Sequence, residues 1–327
     1  MTALRAPWSD RRAERALGAL ACGVLILIGL MIVSVFLKAW PSFAHNGLGW
    51  FGSGGNVDHQ LQNIFNSPAE KENYVYHLRA WPLLYGTVIT TLGAMLLGLV
   101  ISLLSAMFIV EFAPPRVAAL LQPVVRLLAA VPSVIYGLIG ILVLVPLVGN
   151  HLVGEGRKES VAFVIQLDGT SVLVAVAILT VMITPIMVAI ITDGLRAVPV
   201  AWREGAVALG VNRMRALWTI SVRVARPAII AALVLATARA LGEAIMLSMV
   251  SGSVGFAPNP LDGVTFFFEP TRPLAATIVD NAEGLSVEPF GQTIYAFAAV
   301  LLVSSAFLSF GGWAAKQPLK RYGMATT

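Results

Sequence analysis

Residues 228–250 read AIIAALVLATARALGEAIMLSMV, a stretch long and apolar enough to cross a bilayer that nevertheless carries two charges near its middle. A charge at that depth costs roughly 3 kcal/mol or more on insertion scales. Arg239 and Glu243 lie four residues apart, so on one continuous helix they would share a face within reach of an ion pair. Intramembrane charges mark transport paths more often than structural pairs, so we take both residues as candidate substrate contacts. The alternative is a pair that only neutralises itself or anchors neighbouring helices.

The composition of the whole chain is that of a polytopic membrane protein. Of its 327 residues, 57% are hydrophobic and only 12% are charged, and the mean hydropathy is +0.82. The segments between the apolar runs are too short for a soluble domain of ordinary size, so we expect one membrane domain over 1–327, all-α with six transmembrane helices. The apolar runs of about 20 residues that predict these helices are 17–37, 82–110, 127–148, 171–192, 228–250 and 291–315.

The distribution of Lys and Arg predicts the orientation in the membrane. If the N-terminus is cytoplasmic, fifteen of the 22 basic residues fall on the cytoplasmic side, six fall outside and Arg239 lies in the membrane. The positive-inside rule therefore places both termini in the cytoplasm. The formal net charge of +5 then reflects orientation in the membrane, and gives no support for nucleic-acid binding.

Several motifs fail, and their failure excludes whole classes of function. Gly47, Gly49 and Gly52 match the dinucleotide-binding spacing, but they follow no predicted strand. No lysine follows a glycine, so the chain lacks a Walker A loop. No serine or cysteine is accompanied by the residues of a catalytic triad or dyad. We therefore expect no catalytic residue and no resident cofactor in this chain. Cys22 is the sole cysteine, which excludes an intrachain disulfide. The histidines lack regular ligand spacing, which favours solvated loop residues over a metal site; they are His45, His59, His77 and His151.

The predicted cytoplasmic segment 196–227 has the pattern of a compact helix, turn and helix. A helix is expected after Pro199, ending with Gly210 as a left-handed cap and restarting at Asn212 as an N-cap. Membrane spans flank this segment on both sides, which argues against reading DNA. We interpret it as a docking surface for a cytoplasmic partner; the alternative is a basic interfacial loop on anionic lipid headgroups.

Four stretches of sequence carry a family resemblance. The pattern EGAxxxG at 204–210, with Ile220 at the expected distance, resembles the EAA coupling motif of ABC importer permeases. RALGE at 239–243, LLAAVPSVIYGL at 127–138 and RPLAATIVDNAEG at 272–284 resemble one branch, the phosphate-specific importer permeases, closest to the PstC type. The resemblance runs from about Trp81 to the C-terminus and implies the type I ABC importer permease fold.

The resemblance also implies partners and residue roles. Such a permease works in the cytoplasmic membrane of a prokaryote with a second permease subunit of the PstA type in a heterodimer. Two ATP-binding subunits, which carry ATP and Mg, drive it, and an extracytoplasmic binding protein delivers phosphate. Carried over by position, Glu204, Ala206 and Gly210 would form the ATPase-coupling element, and Arg239 and Glu243 would line the substrate pathway.

The sequence departs from the family pattern at four positions. Gly205 replaces an alanine of the EAA motif, which weakens the helix by up to about 1 kcal/mol. Arg223 stands where a proline is expected, with Pro227 one turn later. Arg126 replaces a frequent acid, and Ala244 replaces a common threonine.

The residues support a hypothesis for phosphate transport, beside which three rivals remain. A guanidinium donates two parallel hydrogen bonds to phosphate oxygens. Glu243, paired with Arg239 at rest, would moderate the affinity so that phosphate can leave, and would accept a hydrogen bond from the proton that HPO4 carries and sulfate lacks. The first rival is a permease for another oxyanion, namely phosphonate, sulfate or molybdate. The second is an ion-coupled secondary transporter, which would need no EAA-like segment. The third is a membrane scaffold without transport, which would need no charge at the middle of the membrane.

Overall fold

The computed structural model describes residues 8–68, 70–161, 163 and 166–317. The chain ends that we assigned to the cytoplasm, with Arg5, Lys320 and Arg321, lie outside these ranges. The described helices are α1 (Trp8–Asn46), α2 (Val57–Phe65), α3 (Trp81–Phe112), α4 (Pro115–Ala129), α5 (Ser133–Leu152), α6 (Glu155–Val161), α7 (Val172–Arg196), α8 (Val200–Ala208), α9 (Arg213–Val224), α10 (Arg226–Leu241), α11 (Ile245–Val250), α12 (Leu274–Asp280) and α13 (Phe290–Lys316).

The predicted all-α membrane fold is confirmed. Among the described residues, five helices are long and apolar enough to cross a membrane, namely α1, α3, α5, α7 and α13. For the first of them the continuous apolar helix is counted as Arg12–Phe51. A sixth crossing results when α9 and α10, which are bent by 67°, are counted as one span. The helix α3 ends in one π-helical turn, Phe108–Phe112. The helix α5 contains two such turns, Gly140–Leu144 and Val148–Leu152.

The centre of the fold is the packing of α3 on α7. Small residues allow the close approach, because a Cβ added at Gly93 would lie 3.0 Å from Val176 and one at Gly98 would lie 3.4 Å from Ile183. In the most apolar 18-residue stretch of α7, 61% of the residues are buried, whereas no residue is buried in the corresponding stretch of α1. The helix α7 is therefore the core of the chain, and α1 presents its apolar surface to lipid or to a protein partner.

The third predicted span starts later than we expected. We placed it at 127–148, but residues Leu127 to Ala129 belong to α4, and the membrane helix α5 begins only at Ser133. Pro132 explains the shift, because proline has no backbone N–H to donate and forces the residue before it away from the helical region.

The fifth predicted span is not one continuous helix. We expected a helix over 228–250, but α10 ends at Leu241, residues 242–244 are non-helical, and the short α11 follows. Gly242 is the helix-weakening residue in the stretch, worth about 1 kcal/mol relative to alanine. That amount is too small to break a membrane helix alone, so the break depends on its neighbours.

Candidate functional site

The two charges that we expected on one helix face are separated by the break in the fifth span. Arg239 is half-buried in the last turn of α10, and Glu243, 9% exposed, lies in the break itself. Glu243 Oε1 accepts a hydrogen bond from the backbone N–H of Met246 at 3.3 Å. The predicted ion pair between Arg239 and Glu243 is wrong: the described ion pairs do not include it, because the helix ends at Leu241 and the geometry of residues four apart no longer applies.

The short helix α11 packs directly against α5. A Cβ added at Gly137 would lie 3.1 Å from Met246 Cα, and one added at Gly140 would lie 2.6 Å from a side-chain methyl of Val250. The two glycines allow this close approach, since a side chain at Gly140 would collide with Val250 and one at Gly137 would crowd the backbone of Met246.

Each of these two packed helices directly follows a break in its span. The helix α5 begins after the non-helical residues 130–132, and α11 begins after the non-helical residues 242–244. Irregular backbone at membrane depth is tolerated only where it is buried in protein or lines a water-filled cavity. These two breaks are therefore the feature of the described fold that is best suited to a polar substrate.

Tyr136 spans the break in the third span and was missed by sequence reasoning. Its hydroxyl donates a hydrogen bond to the Leu128 carbonyl at 2.9 Å, on the other side of Pro132. The residue is 7% exposed. A signal was present, since Pro132 and Tyr136 are four residues apart in the VPSVIYGL stretch, but the role of the tyrosine depends on a contact that spacing does not reveal.

The predicted helix, turn and helix of segment 196–227 is present. The helix α8 begins at Val200, Gly210 has a φ of +83°, and the Asn212 side chain accepts a hydrogen bond from the Met214 N–H at 3.0 Å. No residue of α8 is buried. Glu204 is exposed, as is Leu209 at 86%, so the motif presents a carboxylate beside apolar surface. Such a surface is typical of a protein contact.

The departures from the family pattern have local explanations in part. A Cβ at Gly205 would meet nothing within 4 Å, so packing does not require glycine there. Pro227 lies in the first turn of α10, directly after the 67° bend between α9 and α10. It stands one helical turn after Arg223, where the family pattern has its proline. Arg126 lines a small pocket between α4 and α7 that also includes Asp193. Nothing in the structure explains alanine at position 244.

On the predicted outer side, Arg272 of the RPLAATIVDNAEG stretch holds an ion network. It is 8% exposed and forms ion pairs with Asp58 on α2 and, at 3.3 Å, with Asp280 at the end of α12. Asp280 in turn accepts hydrogen bonds from Ser248 on α11 and, at 2.8 Å, from Ser253. The network thus connects the outer half of the broken span to the rim of a cleft of about 570 Å³.

The outer loop also contains a carboxyl group with a shifted pKa. Burial raises the pKa of Glu269, and the nearby charge of Asp262 raises it further. A hydrogen bond from the Asn259 N–H at 2.9 Å acts in the opposite direction, but burial is the largest effect.

Comparison with known proteins places the chain in a family. Residues 98–315 match the family described as "Binding-protein-dependent transport system inner membrane component". The chain belongs to this family. The match covers both breaks, α8 and Arg272, and so includes every site residue that we predicted.

Individual relatives of this inner membrane component agree with the family match. The chain is 32% identical to a "Probable phosphate transport system permease protein PstC" of Methanocaldococcus jannaschii over 70% of each chain. It is 31% identical to the "Phosphate transport system permease protein PstC 1" of Mycobacterium tuberculosis over 74% of this chain and 72% of the relative. A bacterial alginate ABC transporter shares the fold, with a TM-score of 0.58 and 15% identity over 96% of this chain and 98% of the other.

Proposed function

We propose that this chain is the transmembrane permease subunit of an ATP-driven importer for inorganic phosphate in the cytoplasmic membrane of a prokaryote. The observation that carries the proposal is the pair of helix breaks that precede the two packed helices α5 and α11, with Arg239 in the last turn before one break and Tyr136 in the first turn after the other. The names of the relatives in Methanocaldococcus jannaschii and Mycobacterium tuberculosis support phosphate as the substrate.

Arg239 is the proposed phosphate contact. Among the described residues its guanidinium has no carboxylate partner within ion-pair distance, so its donors are available to an anion. An arginine at the edge of a polar break in the membrane binds phosphate through two parallel hydrogen bonds. Glu243 takes a different role from the resting counter-ion that we expected, because it holds the first turn of α11. Its negative charge near the site limits the affinity for phosphate, as release from a pathway requires.

The segment Glu204 to Gly210, with Ala206 half-buried within it, is the proposed docking element for an ATP-binding subunit. The chain itself is non-catalytic; ATP and Mg bind to two partner ATPases. A second permease subunit of the PstA type completes the pathway, and an extracytoplasmic binding protein supplies phosphate. The exposed surface of α8 supports docking there, because an exposed carboxylate beside exposed apolar residues suits a partner groove.

The test is uptake of radiolabelled phosphate, with ATP hydrolysis, by the complete complex in proteoliposomes. Arg239→Gln should reduce phosphate uptake at least tenfold. Arg239→Lys should retain part of the uptake, since lysine keeps the positive charge but cannot donate the two parallel hydrogen bonds of a guanidinium. Arg116→Gln, an exposed arginine in the first turn of α4, is the matched control and should transport normally. Normal phosphate uptake by Arg239→Gln refutes the site. Uptake of sulfate or molybdate in place of phosphate by the unaltered complex refutes the substrate.

A further inference from the structure

An ion pair connects α8 to the inner end of α3. Arg203 Nη1 lies 2.5 Å from Glu111 Oε2, although the two residues are 92 positions apart in the sequence. Their side chains are only 16% and 19% exposed, and the buried Nε of Arg203 has no hydrogen-bond partner. Glu111 lies in the π-helical turn Phe108–Phe112, which ends α3. Such turns occur frequently at functional sites.

This pair is the principal polar link between α8 and the membrane helices. No residue of α8 is buried, so apolar packing holds it only weakly. The other ion pairs among the described residues lie on the opposite side of the predicted membrane and involve Lys158 or Arg272. A charge-assisted hydrogen bond at low exposure is shorter and about twice as strong as a neutral one, so the link between Arg203 and Glu111 is comparatively stiff.

We propose that Glu111 and Arg203 form a coupling strut that transmits the movement of the ATPase-docking helix α8 to the membrane helices. The inference rests on the proposed docking role of α8. Arg203 is the neighbour of Glu204, which is exposed on the same helix, so one residue meets the ATPase while the next holds α3.

From α3 a continuous packed path leads to the proposed phosphate site. The helix α3 packs on α7 through Gly93 and Gly98, and α7 packs on α10, where a Cβ at Gly194 would collide with that of Ala228. The helix α10 ends at the break beside Arg239. Closely packed interfaces shift between discrete arrangements and do not deform continuously, so a displacement of α8 reaches this break as a shift of whole helices.

The experiment compares three variants of the complete complex: Glu111→Gln, Arg203→Gln, and the exchange Glu111→Arg with Arg203→Glu. ATPase retention, hydrolysis stimulated by the binding protein, and phosphate transported per ATP are measured. Each single variant should keep the ATPase bound but transport about tenfold less phosphate per ATP, within the usual range for coupling between two sites. The exchange should restore the ratio to within about twofold of the original. Glu155→Gln, which breaks the exposed pair with Lys158, is the control and should change nothing.

The outcomes separate the strut from the docking role. Normal coupling in both single variants, or an exchange variant no better than the single ones, overturns the strut. If a single variant does not assemble, the exchange decides: recovery of assembly and coupling supports the pair, and failure to recover overturns it. Glu204→Lys tests docking alone and should lose the ATPase. If the Glu204→Lys variant keeps the ATPase bound, the docking role is refuted, whatever the variants of Glu111 and Arg203 do.

Discussion

Replacing Tyr136 by phenylalanine tests whether the break in the third span is held by its hydroxyl. The substitution removes one oxygen from a residue that is 7% exposed and leaves its ring in place. It deletes the 2.9 Å hydrogen bond to the Leu128 carbonyl. A typical hydrogen bond contributes about 1 kcal/mol net, and a buried group left without a partner costs about 1–3 kcal/mol.

The structure sets the expected loss near the lower end of this range. The Leu128 carbonyl also accepts a hydrogen bond from the Val131 N–H at 3.3 Å, so it keeps one partner after the substitution. We therefore expect Tyr136→Phe to lower the free energy of unfolding by about 1 kcal/mol. Phosphate uptake should fall as well, because this hydrogen bond holds the start of α5, which packs on α11 next to the proposed phosphate site.

The assay is equilibrium unfolding of the purified complex in mixed micelles, together with uptake in proteoliposomes. Tyr295→Phe is the matched control, since its hydroxyl accepts only a long 3.4 Å bond from the exposed Lys38, and it should change the free energy of unfolding by less than about 0.5 kcal/mol. If both tyrosine variants unfold and transport alike, the hydroxyl of Tyr136 does not hold the break, and the reasoning fails.

Three further predictions concern helix propensity, buried charge and pH. Gly205→Ala should stabilise α8 by up to about 1 kcal/mol without loss of ATPase binding, because the added methyl meets nothing within 4 Å. A lower free energy of unfolding, or loss of the ATPase, would contradict this prediction. Arg272→Met should destabilise the complex by about 3–5 kcal/mol, because Asp58 and Asp280 lose their common cation; a thermal midpoint equal to that of the unaltered complex would refute the role of the network. The raised pKa of Glu269 favours its protonated form in the folded state, so its stabilising contribution is full below about pH 4.5 and is lost as the pH rises through the raised value. Glu269→Gln should therefore flatten the decline of stability above pH 4.5, and an unchanged slope would count against the assigned cause.

The sequence by itself determined the fold class and the local structure of the coupling segment. Apolar runs of about 20 residues require membrane helices, whatever their neighbours are. The end of α8 at Gly210 and the restart at Asn212 follow from the conformational freedom of glycine and from a side-chain cap. These effects act over a few residues, so the pattern of residues is sufficient to predict them.

Only the tertiary structure decided how the site is built. Gly242 alone contributes about 1 kcal/mol, which is too little to end α10 and to separate Arg239 from Glu243; the break stands where α10 gives way to α11, which packs against α5. The contact of Arg203 with Glu111 likewise joins residues 92 positions apart. Such contacts are fixed by how whole helices pack on one another, and neither periodicity nor spacing within a single segment contains that information.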